Sequence, residues 1–347
     1  MRAVVAAGPD VVEVADVPEP AVKEPGDAIV TVAFTAICGA DLLPVAGHVP
    51  GFEWGTILGH EFVGTVAYAG PEVPFRPGTR VACMSTYSCG HCRACRAGAS
   101  TQCTSMALFG FSGVYPRLDG GQAERVRVPN ARRLLWPLPD ELDDESAVFV
   151  ADILPTALRA VARADLGAGP GRAGPVLAVT GAGPVGLLTL LVAGLQTEHV
   201  IMIDPDEGRR AAAAGLGAAT VAPEDALEAI GSLTGGRGAD AVVEASGSEA
   251  ALRLAMDLVA SRGTVSVVGA HFNPAAPIDL GRMFANETTL RFSIGAPTDD
   301  REEAANLILS GDIDPRRIIS HRLTLEQAPE AYRIFRSHAA TKVILSP

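Results

Sequence analysis

The sequence lacks the features of a membrane protein and of a nucleic-acid-binding protein. No stretch approaches the ~20 uninterrupted apolar residues that a membrane-spanning helix needs. Basic residues are the minority, with 28 Lys and Arg against 40 Asp and Glu and a formal net charge of −12. So acidic a chain repels nucleic-acid phosphates and anionic lipids. Because the apolar part of the N-terminus is also too short for a secretory signal, we expect a cytoplasmic protein without nucleic-acid or membrane partners.

Cysteine is scarce, yet four of the six cysteines stand close together. Their C-x2-C-x2-C-x7-C spacing is typical of a tetrahedral zinc site with four thiolate ligands. Because four thiolates leave no open position on the metal, such a site is structural. The alternatives are iron or disulfides, and a reducing compartment disfavours disulfides. The predicted ligands, in a lobe over 83–105, are Cys89, Cys92, Cys95 and Cys103.

The character of the sequence changes near its middle. Residues 1–153 contain short apolar runs separated by Gly, Pro and Asp, which is typical of a β-rich domain. In 154–294, apolar strands alternate with Ala- and Leu-rich helical stretches, which predicts an α/β domain with a parallel sheet. Its predicted strands cover 176–180, 199–204, 241–245, 264–269 and 290–294. Residues 295–347 end in a strand-like run at 342–345, which we expect to return to the first domain.

A glycine-rich turn follows the first predicted strand of the α/β domain and precedes a helix. In this motif one glycine permits the tight turn, one lets the backbone approach a pyrophosphate, and one lets the helix pack on the strand. The N-terminus of the helix attracts the phosphates. A proline in the first turn of a helix costs no hydrogen bond, so it is compatible with this position. The predicted cofactor-binding residues of the motif are Gly181, Gly183, Pro184, Val185 and Gly186.

An acid ends the next predicted strand. Asp204 follows the glycine motif at close to the ~20 residues expected for the acid that binds the adenosine ribose. A carboxylate there accepts from the ribose hydroxyls and repels a 2′-phosphate, so NAD(H) is favoured over NADP(H). Arg209 could equally reach the adenosine ribose or lie solvated on a helix face.

Three further potential metal ligands are far apart in the chain. Cys38 and His60 are in the β-rich part, and Asp152 stands between an apolar run and a proline. A buried acid needs a partner, which a cation can supply. One thiolate, one imidazole and one carboxylate would leave a fourth zinc position open for water or a substrate oxygen.

Taken together, these motifs resemble those of the zinc-dependent medium-chain alcohol dehydrogenases over essentially the whole chain. The resemblance rests on Cys38 to Asp41, Gly59-His60-Glu61, the four-cysteine lobe, and the segments 120–124, 181–186 and 342–345. It implies a Rossmann-type domain at 154–294 and a GroES-like catalytic domain formed by 1–153 and 295–347. The segment 152–156 looks most like the glutathione-independent formaldehyde dehydrogenase and dismutase branch, in which an Asp is the third zinc ligand.

The resemblance also implies roles for individual residues. Cys38, His60 and Asp152 would hold a catalytic zinc, so that the chain binds two zinc ions. Glu61 would be an acid able to approach the metal, and Asp41 would fix the imidazole of His60. Thr156 would lie against the nicotinamide, and Lys342 near the cofactor pyrophosphate. The implied reaction is hydride transfer between an alcohol or carbonyl substrate, a small molecule, and NAD(H), in a homodimer or homotetramer.

Two positions depart from the family pattern. The family usually has Ser or Thr two residues after the first zinc Cys and His three further on, and these residues carry the alcohol proton to solvent. This chain has Ala40 and Leu43 there, and neither side chain can transfer a proton. Either His48, Glu53 or a water chain supplies another route, or the substrate is specialised and meets an apolar pocket.

Other hypotheses stay open at this point. One is an aldehyde dehydrogenase or dismutase of the formaldehyde-active kind with tightly held NAD. Another is a zinc enzyme for elimination, isomerisation or cyclisation without net redox change. A binding protein that has lost its chemistry is disfavoured, because an idle site does not need a thiolate, an imidazole and a buried acid together.

Overall fold

The structure is a computed structural model that describes residues 1–167, 174–271, 275–276 and 278–347. It divides into two compact units. Unit 1 comprises Met1–Pro155 with Ala296–Pro347, and unit 2 comprises Thr156–Gly295. The boundaries between the units lie after residues 155 and 295, whereas the sequence predicts domain boundaries after residues 153 and 294. Among the described residues, no helix combines the length and the apolar character needed to span a membrane.

The strands, in chain order, are β1 (Arg2–Gly8), β2 (Val11–Asp16), β3 (Ala28–Ile37), β4 (Glu61–Ala69), β5 (Arg80–Cys83), β6 (Thr86–Tyr87), β7 (Ala107–Leu108), β8 (Arg125–Val128), β9 (Leu135–Pro137), β10 (Val176–Thr180), β11 (His199–Ile203), β12 (Ala219–Val221), β13 (Ala239–Glu244), β14 (Val259–Val267), β15 (Thr289–Phe292), β16 (Ile319–Thr324) and β17 (Lys342–Ser346). The α-helices are α1 (Leu42–Val45), α2 (Arg93–Arg96), α3 (Ala131–Leu134), α4 (Asp144–Ala147), α5 (Ile153–Ala164), α6 (Pro184–Ala193), α7 (Glu207–Gly215), α8 (Ala226–Thr234), α9 (Glu249–Leu258), α10 (Leu280–Ala285), α11 (Pro297–Leu309) and α12 (Ala328–Arg336). Short 3-10 helices lie at Gly39–Asp41, Ser100–Gln102, Val148–Ala151, Pro223–Asp225, Pro315–Ile318 and Leu325–Gln327.

Unit 2 is built on a parallel sheet with the order β12-β11-β10-β13-β14-β15. Every residue of β10 is buried, as expected for a strand with packing on both faces. α6 packs on β10 and β11, and α9 packs on β10, β13 and β14. The strand order reverses between β10 and β13, and the carboxyl ends of strands at such a point are where α/β proteins bind ligands. This unit confirms the predicted α/β class.

Unit 1 is built on a mixed sheet with the order β16-β17-β3-β4-β5-β9, in which β8 also pairs with β3. The strand near the end of the chain, β17, is therefore an inner strand between β16 and β3. α12 covers this region with residues at helical spacing, since Ala328, Ala331, Tyr332 and Phe335 are buried. They belong to a core cluster that includes Val343 and Leu345 of β17. The segment 342–345 thus pairs and packs with the first part of the chain.

Most predicted strands of unit 2 differ from the structure only at their ends. β10 has the predicted bounds, and β11, β13, β14 and β15 overlap their predicted ranges. The strand β12 was not predicted, because its three residues are only partly buried and carry no apolar run. It lies at the edge of the sheet, where a short and exposed strand gives little sequence signal.

Candidate metal and dinucleotide-binding sites

The four clustered cysteines converge as the spacing predicts. The sulfur atoms of Cys89, Cys92, Cys95 and Cys103 all lie within 4.8 Å of one another. Each of these cysteines carries a free thiol, which disfavours the disulfide alternative. Backbone N–H groups donate to the sulfur atoms at 3.3 to 3.5 Å, for example from Cys89 to Cys103 and from Cys95 to Cys92. The donors from Cys95 and Thr104 lower the pKa of Cys92 to about 6. Four sulfur atoms with N–H donors directed at them fit a tetrahedral zinc ion with no open position.

The second set of expected ligands also converges, and all of it lies in unit 1. Ligand atoms of Cys38, His60, Glu61 and Asp152 lie within 4.8 Å of one another. Cys38 directly follows β3, His60 directly precedes β4, and Asp152 lies between a 3-10 helix and α5. Neighbouring strands β3 and β4 run antiparallel, which brings the end of one beside the start of the other. His60 Nε2 is 3.7 Å from Asp152 Oδ2.

The chemistry of this donor set fits a cation. Burial raises the pKa of the Cys38 thiol, so that a nearby positive charge is needed to hold it as a thiolate. Although burial opposes the charged imidazolium, Asp41 and Cys38 raise the pKa of His60 well above its ordinary value. A thiol, an imidazole and two carboxylates with ligand atoms within 4.8 Å of one another are ligand types that zinc takes in proteins.

Asp41 lies beside His60 and is itself held by hydrogen bonds. Asp41 Oδ1 lies 3.0 Å from His60 Nδ1, a close electrostatic contact in which neither atom has a regular hydrogen-bond partner among the described residues. The other oxygen of Asp41 accepts from the Cys38 N–H at 3.0 Å and from the Gln122 amide at 3.4 Å. Gln122 in turn accepts from the Tyr332 hydroxyl at 2.8 Å. Asp41 is thus in contact with His60, and its expected role in fixing the imidazole stays a prediction.

Ser85 orients the third expected ligand and was missed by the sequence analysis. Its hydroxyl donates to Asp152 Oδ1 at 2.7 Å. Its backbone N–H donates to Ala151 O at 3.1 Å, which fixes the serine beside the residue that precedes Asp152. Serine is common in loops and short strands, so nothing in the sequence around position 85 signals this contact.

Lys342 lies beside the metal ligands. Its side chain is fully buried, and Nζ donates to both carboxylate oxygens of Glu61 and to Ile37 O at 3.1 Å. An ammonium group has three donors, and all three are used here. The place expected for Lys342 near the cofactor pyrophosphate stays a prediction. The sequence did hold a signal, because a cation at the start of an apolar strand needs a buried acid.

The region of the missing proton relay is on the short helices after Cys38. Ala40 lies in the 3-10 helix and Leu43 in α1, both partly buried. His48 is exposed just beyond α1, and it is outside the group of four ligand atoms. Glu53 is also exposed and pairs with Arg117 at 3.4 Å. The structure thus does not bring either candidate replacement to the metal ligands.

The glycine-rich turn of unit 2 has the geometry of a phosphate-binding loop. Gly181 has φ +103°, a conformation that favours glycine, and a Cβ on Gly186 would lie 1.9 Å from Gly181 O. A Cβ on Gly183 would meet nothing within 4 Å, so the loop is open at this residue. Pro184 is the first residue of α6, and no side chain caps that helix, which leaves its N–H groups available to an anion. Val185 O accepts from Thr189 one turn further along α6.

Asp204 contacts this turn directly. Its carboxylate is buried, and it accepts from the Ala182 N–H at 2.8 Å and from the Asp206 N–H at 2.9 Å. Arg209 Nη1 lies 3.9 Å from the same carboxylate, so Arg209 is beside the expected ribose site. Thr156, which is expected near the nicotinamide, lies in α5 and packs against Gly295. A Cβ on Gly295 would lie 1.8 Å from the Thr156 hydroxyl oxygen.

Comparisons with known proteins show the family of this chain. Residues 24–140 match the model of the alcohol dehydrogenase GroES-like domain, and residues 184–310 match that of the zinc-binding dehydrogenase domain. The chain is 35% identical to zinc-type alcohol dehydrogenase B of Aspergillus flavus over 99% of this chain and 81% of that protein. The crystallised alcohol dehydrogenase TADH from Thermus sp. ATN1 is 36% identical, with a TM-score of 0.93 over 100% of this chain and 99% of the other. A zinc-binding dehydrogenase from Sinorhizobium meliloti, solved bound to NADP, is 30% identical with a TM-score of 0.85 over 100% and 99% of the two chains.

The GroES-like and Rossmann-type architecture is thereby confirmed, and the chain belongs to the zinc-type medium-chain alcohol dehydrogenase family and is an oxidoreductase.

Proposed function

We propose that this enzyme transfers a hydride between an alcohol or carbonyl substrate and NAD(H), with a zinc ion held by Cys38, His60 and Asp152. The observation that carries the proposal is the convergence of these three side chains from distant parts of unit 1. When bound, the zinc ion would supply a Lewis acid for the substrate oxygen, and the nicotinamide would supply the hydride acceptor or donor.

The buried ion pair favours Asp152 over Glu61 as the carboxylate ligand. Both oxygens of Glu61 accept from the charged Lys342, whereas Asp152 accepts from the neutral hydroxyl of Ser85. Moving Glu61 to a metal would leave the Lys342 ammonium buried without its main partner, which is costly. Three protein ligands then leave one zinc position open for substrate, as catalytic zinc sites require.

The cysteines at 89, 92, 95 and 103 are proposed to hold a second zinc ion with a structural role. Their four sulfur atoms complete a tetrahedral shell, so that no position is left for substrate. Two zinc ions per chain are expected on this basis.

NAD(H) is the proposed cofactor rather than NADP(H). Asp204 places a buried carboxylate beside the glycine-rich turn, where it would accept from the ribose hydroxyls and repel a 2′-phosphate. Arg209 is close enough to Asp204 to offer a cation to a 2′-phosphate, so it is the residue that weighs against this preference.

The substrate is proposed to be specialised. Ala40 and Leu43 present no proton-transferring group, and the exposed His48 and Glu53 are outside the ligand group. An apolar surface in this region suits a larger or more apolar substrate than a simple short alcohol. A substrate that carries its own acid or base would also relieve the need for a relay.

A second candidate is an aldehyde dismutase of the formaldehyde-active kind. It is favoured by one observation, namely that the third ligand position is an aspartate followed by Ile-Leu-Pro-Thr, as in that branch. A dismutase would convert an aldehyde to the alcohol and the acid without added NAD, because the cofactor is reduced and oxidised within one cycle.

The test is a survey of alcohols and aldehydes with the zinc-loaded protein, following NADH absorbance and the products together. NADH formation or consumption that requires a substrate supports the dehydrogenase, and aldehyde disproportionation without added NAD supports the dismutase. Product formation without redox change would support an elimination, isomerisation or cyclisation instead. Cys38→Ser should abolish the reaction, whereas Cys83→Ala removes a buried thiol outside the ligand group and should retain it. Equal loss in both variants would contradict the proposed site.

A further inference from the structure

A second buried acid with a histidine partner lies in unit 2, away from the metal ligands. Glu244 is the last residue of β13, and its backbone pairs with Thr180 at the end of β10. These two strands flank the point where the strand order reverses. Because dinucleotides bind across the carboxyl ends of the strands at such a point, Glu244 is placed at the edge of the proposed cofactor site.

Both carboxylate oxygens of Glu244 have hydrogen-bond partners. One oxygen accepts from the Ser246 N–H at 2.8 Å, the Ser246 hydroxyl at 2.7 Å and the Gly247 N–H at 2.8 Å. The other oxygen lies 2.9 Å from His271 Nε2. The acid is fully buried, and an acid with three other donors is an ionised acceptor. Nε2 of His271 therefore carries the proton of this bond, and Nδ1 is directed away from Glu244.

Two glycines allow close backbone packing next to His271. A Cβ on Gly269 would lie 2.2 Å from Gly247 N and 2.6 Å from Glu244 Oε2. Gly247 has φ +74°, and a Cβ on it would lie 2.6 Å from Ala270 O. The backbone just before His271 is thus in direct contact with the backbone just after Glu244. This contact leaves little freedom for the imidazole to move.

The same segment touches the phosphate-binding turn. A Cβ on Gly181 would lie 3.0 Å from Ser246 N and from Ser246 Cβ. A continuous set of contacts therefore runs from the glycine-rich turn through Ser246 and Glu244 to His271. The imidazole is still partly open to solvent, with 15% of its side chain exposed.

The position along the sheet decides which half of the cofactor is close. Asp204, the proposed ribose-binding acid of the adenosine half, follows β11, on one side of β10. His271 comes after β14, on the other side of the reversal point. A dinucleotide that lies across this point with its adenosine at Asp204 directs its nicotinamide half toward β13 and β14.

We propose that His271, oriented by Glu244, binds the nicotinamide riboside half of the cofactor through a hydrogen bond to Nδ1. The inference rests on the proposed function, since it needs a dinucleotide at the glycine-rich turn. The described residues provide no hydrogen-bond partner for Nδ1. The ribose hydroxyls and the carboxamide NH2 of this half are the groups that can donate to it. Glu244 is a positioning residue, because it acts through the imidazole.

The experiment compares two ligands by isothermal titration calorimetry with the whole protein. NADH has the nicotinamide riboside half, whereas ADP lacks this whole half and keeps the adenosine and both phosphates. We expect His271→Phe, which keeps a ring without a nitrogen, to weaken NADH binding about five- to tenfold, the loss of one hydrogen bond. ADP binding should change less than about twofold, because ADP lacks both groups that could donate to His271.

A matched variant and a positioning variant complete the design. His199→Phe makes the same change at the start of β11, the opposite edge of the sheet, and should leave both affinities unchanged. Glu244→Gln should weaken NADH selectively as His271→Phe does, whereas His271→Asn, which keeps an acceptor, should restore part of the affinity. ADP binding by each variant shows that the unit is folded.

The outcomes separate this inference from the proposed function. Unchanged NADH affinity in His271→Phe overturns the inference, as does an equal loss for both ligands, which would indicate a general packing defect. If the unmodified protein binds neither NADH nor ADP, the proposed function fails and this inference fails with it. Selective loss of NADH affinity, with normal ADP binding, supports the role of His271.

Discussion

Lys342 Nζ lies 2.6 and 2.8 Å from the two carboxylate oxygens of Glu61, and neither side chain is exposed to solvent. Burial raises the pKa of Glu61, and the ammonium group of Lys342 opposes this shift. Such a pair repays its desolvation only when the geometry is good and both partners are present. The pair therefore supports the structure around the metal ligands and occupies one of the two acids in that group.

Removing the ammonium group should destabilise unit 1. We expect Lys342→Met to lower the free energy of unfolding by about 3–5 kcal/mol, because the Glu61 carboxylate would be buried without its partner. The double variant Lys342→Met with Glu61→Gln should recover much of this loss, since no charge is then left unpaired. Denaturant unfolding measures each difference.

The chain offers a matched control for this prediction. Lys23 is the only other lysine, and it is exposed. Lys23→Met should change stability by less than about 0.5 kcal/mol. Equal effects of the two lysine substitutions would contradict the buried pair.

Ser85 should matter for metal affinity. Its hydroxyl orients Asp152, and groups that orient metal ligands are typically worth about 10- to 100-fold in affinity. Ser85→Ala should weaken zinc binding by that order, as measured by competition with a chelator. Thr86→Val is the control, because it removes a neighbouring buried hydroxyl that has no partner among the described residues. A normal zinc affinity in Ser85→Ala would show that Asp152 is held in another way.

The two proposed metal sites should fill independently. Purified protein should contain about two zinc ions per chain, and Cys38→Ser and Cys92→Ser should each retain about one. Cys92→Ser should also lower thermal stability, because a structural zinc ion contributes to folding. Elemental analysis gives the stoichiometry. One zinc ion in the unmodified protein, lost in Cys92→Ser, would contradict the catalytic assignment.

The ligands were predictable from sequence to a large extent, and their surroundings were not. The four-cysteine spacing and the glycine motif are local, so that the physical requirement is visible in consecutive residues. Cys38, His60 and Asp152 depended on a family resemblance, because no local pattern joins them. The contact of Lys342 with Glu61 was not predicted, because it depends on the pairing of β17 with β3. Ser85 and Tyr332 act through long-range contacts that no sequence periodicity reveals.

Asp204 should set the cofactor preference. Asp204→Asn keeps an acceptor for the Ala182 N–H but loses the charge. NADH should therefore bind more weakly, and the difference between the dissociation constants of NADH and NADPH should become smaller. The ratio of the two dissociation constants, measured by fluorescence titration, is the readout. Asp206→Asn is the control, because that acid accepts from the Arg209 N–H at the start of α7 and should affect stability rather than the ratio. An unchanged ratio in Asp204→Asn would remove Asp204 from the ribose site.

Restoring the missing relay should affect simple alcohols most. Ala40→Ser combined with Leu43→His supplies a hydroxyl and an imidazole at the two departing positions. If proton transfer limits the rate, kcat for a short primary alcohol should rise, by up to about 10²-fold. Each single variant serves as a control, because one group alone does not complete the route. An unaltered rate in the double variant would mean that pocket shape or another proton route decides the activity.

The order in which the strands of unit 1 are made has a consequence for biosynthesis. Glu61 precedes Lys342 by 281 residues, and the whole of unit 2 lies between them in the chain. On the ribosome, unit 2 can therefore fold before Lys342, the partner of Glu61, has been synthesised. A nascent chain stopped before β17 would possess every proposed zinc ligand and yet lack the cation that neutralises their neighbour. Such a product should be a poor metal acceptor and a target for quality control.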